Sequence, residues 1–333
     1  MKLSILDQAP VSNNQTAREA LEQSVLLAQT AERSGYTRYW IAEHHDLPGL
    51  ACPAPEVMLP YIGARTSRIR IGSGAVLLPH YRPYKVAETY NMLATLFPDR
   101  IDIGIGRAPG ASAEVTNALS GHFLQNVWKM PETLKDLLHF IHDDYPEESE
   151  NAKIKASPLP EIPPEPWLLG TSKKSALLAA EHGLAYAFGM FMSDKDAMEI
   201  FNLYKDSFQP GSIEAPKTIL AVSAVCAETT EKAEEIALSS LCWSLQRKNG
   251  GGLSGVPSID EAKEFILSSS EKEEELRIMR QKMIIGDPAD VKARLLELQK
   301  QTKTDEIMII TITYSPQDRL NSYSLIAEHL LEG

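Results

Sequence analysis

Short apolar runs recur along this chain, separated by longer stretches in which apolar positions follow a helical period. The runs fall at Leu3–Leu6, Tyr39–Ala42, Ile69–Ala75, Ile101–Ile105, Trp167–Gly170, Ala185–Phe188, Ile219–Cys226 and Glu306–Ile312. Most lack polar alternation, the pattern of strands buried on both faces in a parallel sheet. Between them the spacing predicts helices over Ala17–Ser34, Pro55–Thr66, Tyr84–Leu96, Pro131–His142, Ser172–His182, Asp196–Phe208, Thr230–Leu245, Ala289–Thr302 and Gln317–Leu331. Gly35 and Gly183 stand where helix C-caps belong, and Asp287 with Pro288 forms an N-cap followed by a first-turn proline.

Eight strands alternating with helices predict an α/β protein, a (β/α)8 TIM barrel, read here as one domain over residues 1–333. Length alone allows either two domains or one barrel, since barrels run from about 200 to over 400 residues. Two segments exceed a minimal barrel and read as insertions: about 146–166, rich in proline and glutamate, and about 246–285, which contains Gly250, Gly251, Gly252 and Gly255. The second has the composition of a glycine-hinged lid or of a plain surface loop.

Composition narrows the partners. The 333 residues are 43% hydrophobic and 23% charged, as in compact globular proteins, and carry a net charge of -12. That sign argues against nucleic acid. Acidic residues concentrate only at Glu147–Glu150 and Glu271–Glu275, which read as solvated faces. Cys52, Cys226 and Cys242 cannot all pair and match no metal spacing, which fits a reducing compartment. With no signal-like N-terminus and no run of about 18 apolar residues, the expected location is the cytoplasm, away from membranes.

Candidate chemistry follows from the barrel, whose sites are built at the C-terminal ends of the strands. Glu43, His44 and His45 follow the second strand, His80 the third, Arg107 the fourth, and Thr171, Ser172 and Ser175 the fifth. A Glu-His-His run is also what a satisfied hydrogen-bonding corner looks like, and its spacing is not that of His-Glu-x-x-His metal sites. The segment Gly104-Ile-Gly106-Arg107-Ala-Pro109-Gly110 departs from a dinucleotide fingerprint, because its third glycine comes one position late. Its glycines allow close approach of a planar ligand, and Arg107 offers a fork of donors unless a barrel carboxylate takes it. At Gly170-Thr-Ser-Lys-Lys-Ser175 a strand end turns into a helix, where free N–H groups favour an anion. Ser172 can equally be a simple helix cap.

Read together, YWIAEHH, RIRIGSGAVLLPHYRPYKVAE, FPDRIDIGIGRAPG, WLLGTSKKSALLAAEHGL and IIGDPADV resemble, in order and spacing, the bacterial-luciferase-like flavin monooxygenases. Met190–Met283 matches that family mainly by predicted topology. The resemblance implies FMN as cofactor, in reduced form from a separate NAD(P)H:flavin reductase, with dioxygen and a small organic substrate as reactants and a homodimer as the assembly. It carries Gly74 and Ala75 to the flavin ring, Arg107 to the ring or phosphate side, and Thr171, Ser172 and Ser175 to the phosphate. Glu43 is carried over as a further cofactor contact and His44 as the catalytic histidine supporting oxygen chemistry and proton transfer. The chain departs from luciferases at Gly106, where they have a reactive cysteine, and at Met190, where they place an aromatic near the flavin, so light emission is not expected. Rival expectations are a deazaflavin- or flavin-dependent dehydrogenase on the same barrel, a flavin-binding protein without turnover, and a barrel metallohydrolase.

Overall fold

The computed structural model describes residues 1–248, 250 and 255–331. Its strands are β1 (Lys2–Asp7), β2 (Arg38–Ile41), β3 (Arg70–Leu77), β4 (Ile101–Gly106), β5 (Glu165–Gly170), β6 (Ala185–Gly189), β7 (Thr218–Cys226), β8 (Ile284–Gly286) and β9 (Glu306–Ile310). All pair in parallel. The order β1 to β7 continues to β9, which pairs back to β1 and closes a barrel of eight strands with helices around it. The eight predicted strands are those eight. The ninth, β8, pairs outside the barrel with Ala224–Cys226 of β7, beyond the Ile219–Ser223 stretch that pairs with β9.

Two apolar layers explain why the chain closes this way. Outward-facing strand residues such as Leu3, Ile5, Ile71 and Ile103 pack with the helices in one continuous core. Inward-facing Leu6, Trp40, Trp167, Ala187, Ile219 and Met308 fill the barrel. Its N-terminal end is plugged by charge: buried Arg38 donates to Asp102 at 2.7 Å and to Glu306 at 2.8 Å, and Trp40 Nε1 donates to Asp102 at 2.8 Å. The guanidinium also lies 4.7 Å from the Trp167 ring centre. With that end plugged, the C-terminal mouth is the open end of the barrel among the described residues.

Two short helices, Ala113–Leu119 and Phe123–Trp128, occupy the stretch after β4 where no helix is predicted. The proline-rich excursion is anchored: Ala156 is buried and its carbonyl accepts from Asn91 Nδ2 at 2.9 Å. In the glycine-containing segment, Gly251 and Gly252 lie outside the described residues. Gly255 allows a close backbone approach, since a Cβ there would stand 2.2 Å from the Val11 carbonyl oxygen. The neighbouring Val256 makes backbone hydrogen bonds with Val11 and Asn13 that pin the segment to the barrel top. Helices Ile259–Leu267 and Ser270–Arg280 then pack on the long Thr230–Lys248 helix. No helix among the described residues is long and apolar enough to cross a membrane.

Candidate functional site

A cavity of about 260 Å³ opens at the C-terminal mouth of the barrel. It is lined by residues from the ends of β1 to β7 and β9, including Glu43, His44, Gly74, Ala75, Arg107 and Thr171. Of the residues singled out from sequence, those six therefore share one wall-to-wall space. Ser172 and Ser175 are not among its lining residues: Ser172 Oγ lies 3.5 Å from Arg107 Nη2, and Ser175 is buried behind it against Tyr186. His80 does not line it; its Nε2 meets the Pro109 carbonyl at 2.9 Å and its ring stacks on Phe123.

The corner after β2 has a divided labour. Glu43 is buried and fully engaged by protein donors: Tyr81 Oη at 2.6 Å, His45 Nε2 at 2.8 Å and the Leu77 N–H at 3.1 Å. It ties the end of β2 to the end of β3. His45 N–H donates to the Gly110 carbonyl at 2.9 Å, so the same corner holds the glycine loop after β4. His44 faces the cavity instead. Its main-chain N–H is taken by the Cys52 carbonyl, while its Nδ1 is buried without a hydrogen-bond partner among the described residues.

That environment changes what His44 can do. Burial pushes the imidazole down from its ordinary 6.5 to about 4, with the charges of Arg247 and His45 adding to the effect. At pH 7 the ring is therefore neutral, able to accept a proton or a hydrogen bond. Stability carries the signature. Below about pH 6.5 the unfolded chain takes up a proton that the folded chain refuses, so acidification toward pH 4 favours unfolding. Between pH 7 and 5 the loss is about 2 kcal/mol from this residue. Urea melts at both pH values should show that loss in the wild type and its absence in His44→Gln. Parallel pH dependences of the two would mean that the ring titrates normally.

The β5 turn has two readings in sequence, and the cap is built. Ser172 Oγ accepts the Ser175 N–H and Ser175 Oγ accepts the Ser172 N–H, each at 3.2 Å, in a reciprocal box opening the Lys173–Glu181 helix. The first-turn N–H groups of Lys173 and Lys174 precede any intrahelical acceptor and stay available to an anion. Ser175 Oγ is also 3.0 Å from Tyr186 Oη, which fixes the turn against β6. Among the described residues no carboxylate lies within 4.0 Å of Arg107, so the alternative in which a barrel acid consumes it is not what forms.

One correction concerns the walls. Met190 packs against the barrel–helix core, and Phe191, one residue on, lines the cavity, so an aromatic does face the mouth. Sequence reading missed it because the Met190–Met192 turn is a single 3-10 turn whose facing cannot be read from periodicity. Gly106 also lines the cavity, and a Cβ there would stand 3.0 Å from Ala75 Cβ.

Among the described residues no three of His, Cys, Asp and Glu gather in an arrangement that could hold a metal ion. The set is thus apolar walls, an unpartnered imidazole and a cationic edge at a helix start. Comparison with known proteins gives the same direction. Residues 1–305 match the model of the luciferase-like monooxygenase family. The N-acetyl-S-alkylcysteine monooxygenase of Bacillus subtilis is 34% identical, with 99% of this chain and 98% of that one covered. The crystal structure of apo-MsnO8 superposes with a TM-score of 0.86 at 34% identity, covering 98% of this chain and 97% of its own. The oxygenating constituent of 3,6-diketocamphane monooxygenase from Pseudomonas putida, solved with FMN, shares the fold at 18% identity with a TM-score of 0.73, over 98% and 97% of the two chains. This chain belongs to the luciferase-like monooxygenase family and is an oxidoreductase.

Proposed function

We propose that the protein binds reduced FMN, delivered by a separate reductase, and uses dioxygen to oxidise a small organic substrate. The observation that carries this reading is the convergence of an apolar slot, a neutral unpartnered imidazole and an anion-ready helix start on one cavity. The slot suits a planar ring, because Gly74, Ala75 and Gly106 give it one stretch of wall without bulky side chains. Arg107 and the first turn after Ser172 suit a phosphate at the edge. Reduced flavin, when bound, supplies the electrons that activate dioxygen.

The chain's own residues then do four things. The Gly74–Ala75 backbone and Arg107 orient the ring and its tail. Glu43 holds the ends of β2 and β3 at a fixed separation, so that orientation persists. His44 accepts a hydrogen bond or proton at the reacting centre. The apolar walls exclude water and with it unproductive discharge of peroxide.

Cofactor choice is the direct test. FMN should bind about ten- to a hundredfold more tightly than riboflavin, the worth of charge-assisted bonds to a phosphate. Arg107→Ala should shrink that gap. Fluorescence quenching that gives equal affinities for the two flavins would remove the phosphate assignment, and tight binding of a deazaflavin alone would move the protein to hydride transfer. Oxygen uptake by the FMN-loaded protein separates an oxygenase from a binding protein without turnover.

A further inference from the structure

We infer that the substrate is an organic anion, a carboxylate or sulfonate on an apolar body, and that Arg247 anchors its charged end in a second chamber adjoining the flavin cavity. This rests on the functional reading above and names the substrate class it leaves open.

The second chamber has a volume of about 470 Å³ and shares Gln8, Phe191 and Met192 with the first, so the two adjoin at those side chains. Its walls are largely apolar, with Leu241 and Trp243 from the Thr230–Lys248 helix, Ile278 from the Ser270–Arg280 helix, and Ile310 and Ile312 from the end of β9. A body of several carbons would be at home there. Three cations reach the lining: Arg247, Lys248 and Lys282. Lys248 is paired with Glu275 at 2.7 Å and Lys282 with Asp194 at 2.5 Å.

Arg247 differs from both lysines. Among the described residues no carboxylate lies within 4.0 Å of its guanidinium, and the side chain makes no hydrogen bond. The adjoining sequence 249–254, NGGGLS, contains no acid to supply one. The guanidinium is held 4.7 Å from the Trp243 ring centre, a stacking contact that fixes its plane and leaves its edge of N–H donors free. Such a fork matches the two oxygens of a carboxylate. Arg247 is exposed, so a ligand can reach it, yet partial burial lowers its pKa with no opposing acid to raise it.

The position relative to His44 completes the case. His44 lines the first cavity and Arg247 the adjoining one, and Arg247 is the leading charge acting on that imidazole. A substrate anchored by its anion at Arg247 lays its body along the apolar walls toward Phe191 and places its other end beside His44 and the flavin slot.

The experiment uses FMN-loaded protein and a panel of thioether and ketone carboxylates paired with their methyl esters. Oxidation with reduced FMN and direct binding by calorimetry are both measured, on wild type, Arg247→Gln and Arg247→Lys. Wild type should favour the acids by about a hundredfold in kcat/KM and in affinity. In Arg247→Gln the acid-to-ester ratio should fall to about one, mostly through KM, and Arg247→Lys should recover part of it. Esters bound or oxidised as well as acids by the wild type would overturn the inference, as would equal losses for acids and esters in Arg247→Gln. Acids that fail to bind FMN-loaded protein overturn it even if nothing in the panel is oxidised. Failure to bind FMN at all instead overturns the functional reading, so the two failures are told apart.

Discussion

Replacing His44 with alanine is expected to lower product formation about a hundredfold to ten-thousandfold while leaving flavin affinity nearly unchanged, the cost of losing a positioned proton acceptor. The asymmetry follows from where contacts are made. Flavin orientation is assigned to Arg107, the Gly74–Ala75 wall and the helix start after Ser172, none of which depends on the His44 ring. The ring itself has a buried Nδ1 with no partner among the described residues, an arrangement that costs stability unless something in the cavity answers it. Burial keeps it neutral, so at pH 7 it is ready to accept. Without it, electrons from reduced flavin should still reach dioxygen but appear as hydrogen peroxide. Flavin affinity, peroxide yield and product are measured together on both proteins. A mutant that forms product at the wild-type rate would make His44 a structural corner and nothing more.

What could be read from sequence divides along physical lines. The eight barrel strands were legible because each is a short apolar run buried on both faces, a signal carried by the run itself. β8 was not: three residues, Ile284–Gly286, are a strand only because β7 extends past β9 and leaves Ala224–Cys226 unpaired. The helices Ala113–Leu119 and Phe123–Trp128 are too short for a periodic pattern, and only the first has a side-chain cap, at Ser112.

The candidate site was legible by position more than by role. Strand-end placement brought His44, Arg107 and Thr171 to one cavity, as the barrel rule requires. It could not show that Glu43 is bonded to Leu77 and Tyr81 as well as to the neighbouring His45, because Leu77 and Tyr81 come from the end of β3 and just beyond it, far along the chain. Nor could it find Arg247, which ends a long surface helix and reaches the second chamber only through the way that helix docks.

Glu43 yields the second large expected effect. Glu43→Ala should cost roughly 2–5 kcal/mol of stability, since it strands several donors in a buried corner at once. Tyr81 shows the coupling: burial and the adjacent Glu43 both push its phenol well above the ordinary range, so the hydroxyl stays a donor committed to that carboxyl group. The Leu77 N–H belongs to the end of β3, just past Gly74 and Ala75, and its release should loosen the wall against which the flavin ring is placed. Flavin affinity should therefore fall with stability, in proportion. Glu43→Gln keeps the volume and one acceptor oxygen, so it should lose less of both. If Glu43 instead touched the cofactor directly, Glu43→Gln would fold with nearly wild-type stability and yet bind flavin poorly. Denaturant melts and flavin titrations on the two variants separate these outcomes, and Glu43→Ala unchanged in both measurements would show that the corner holds without its carboxylate.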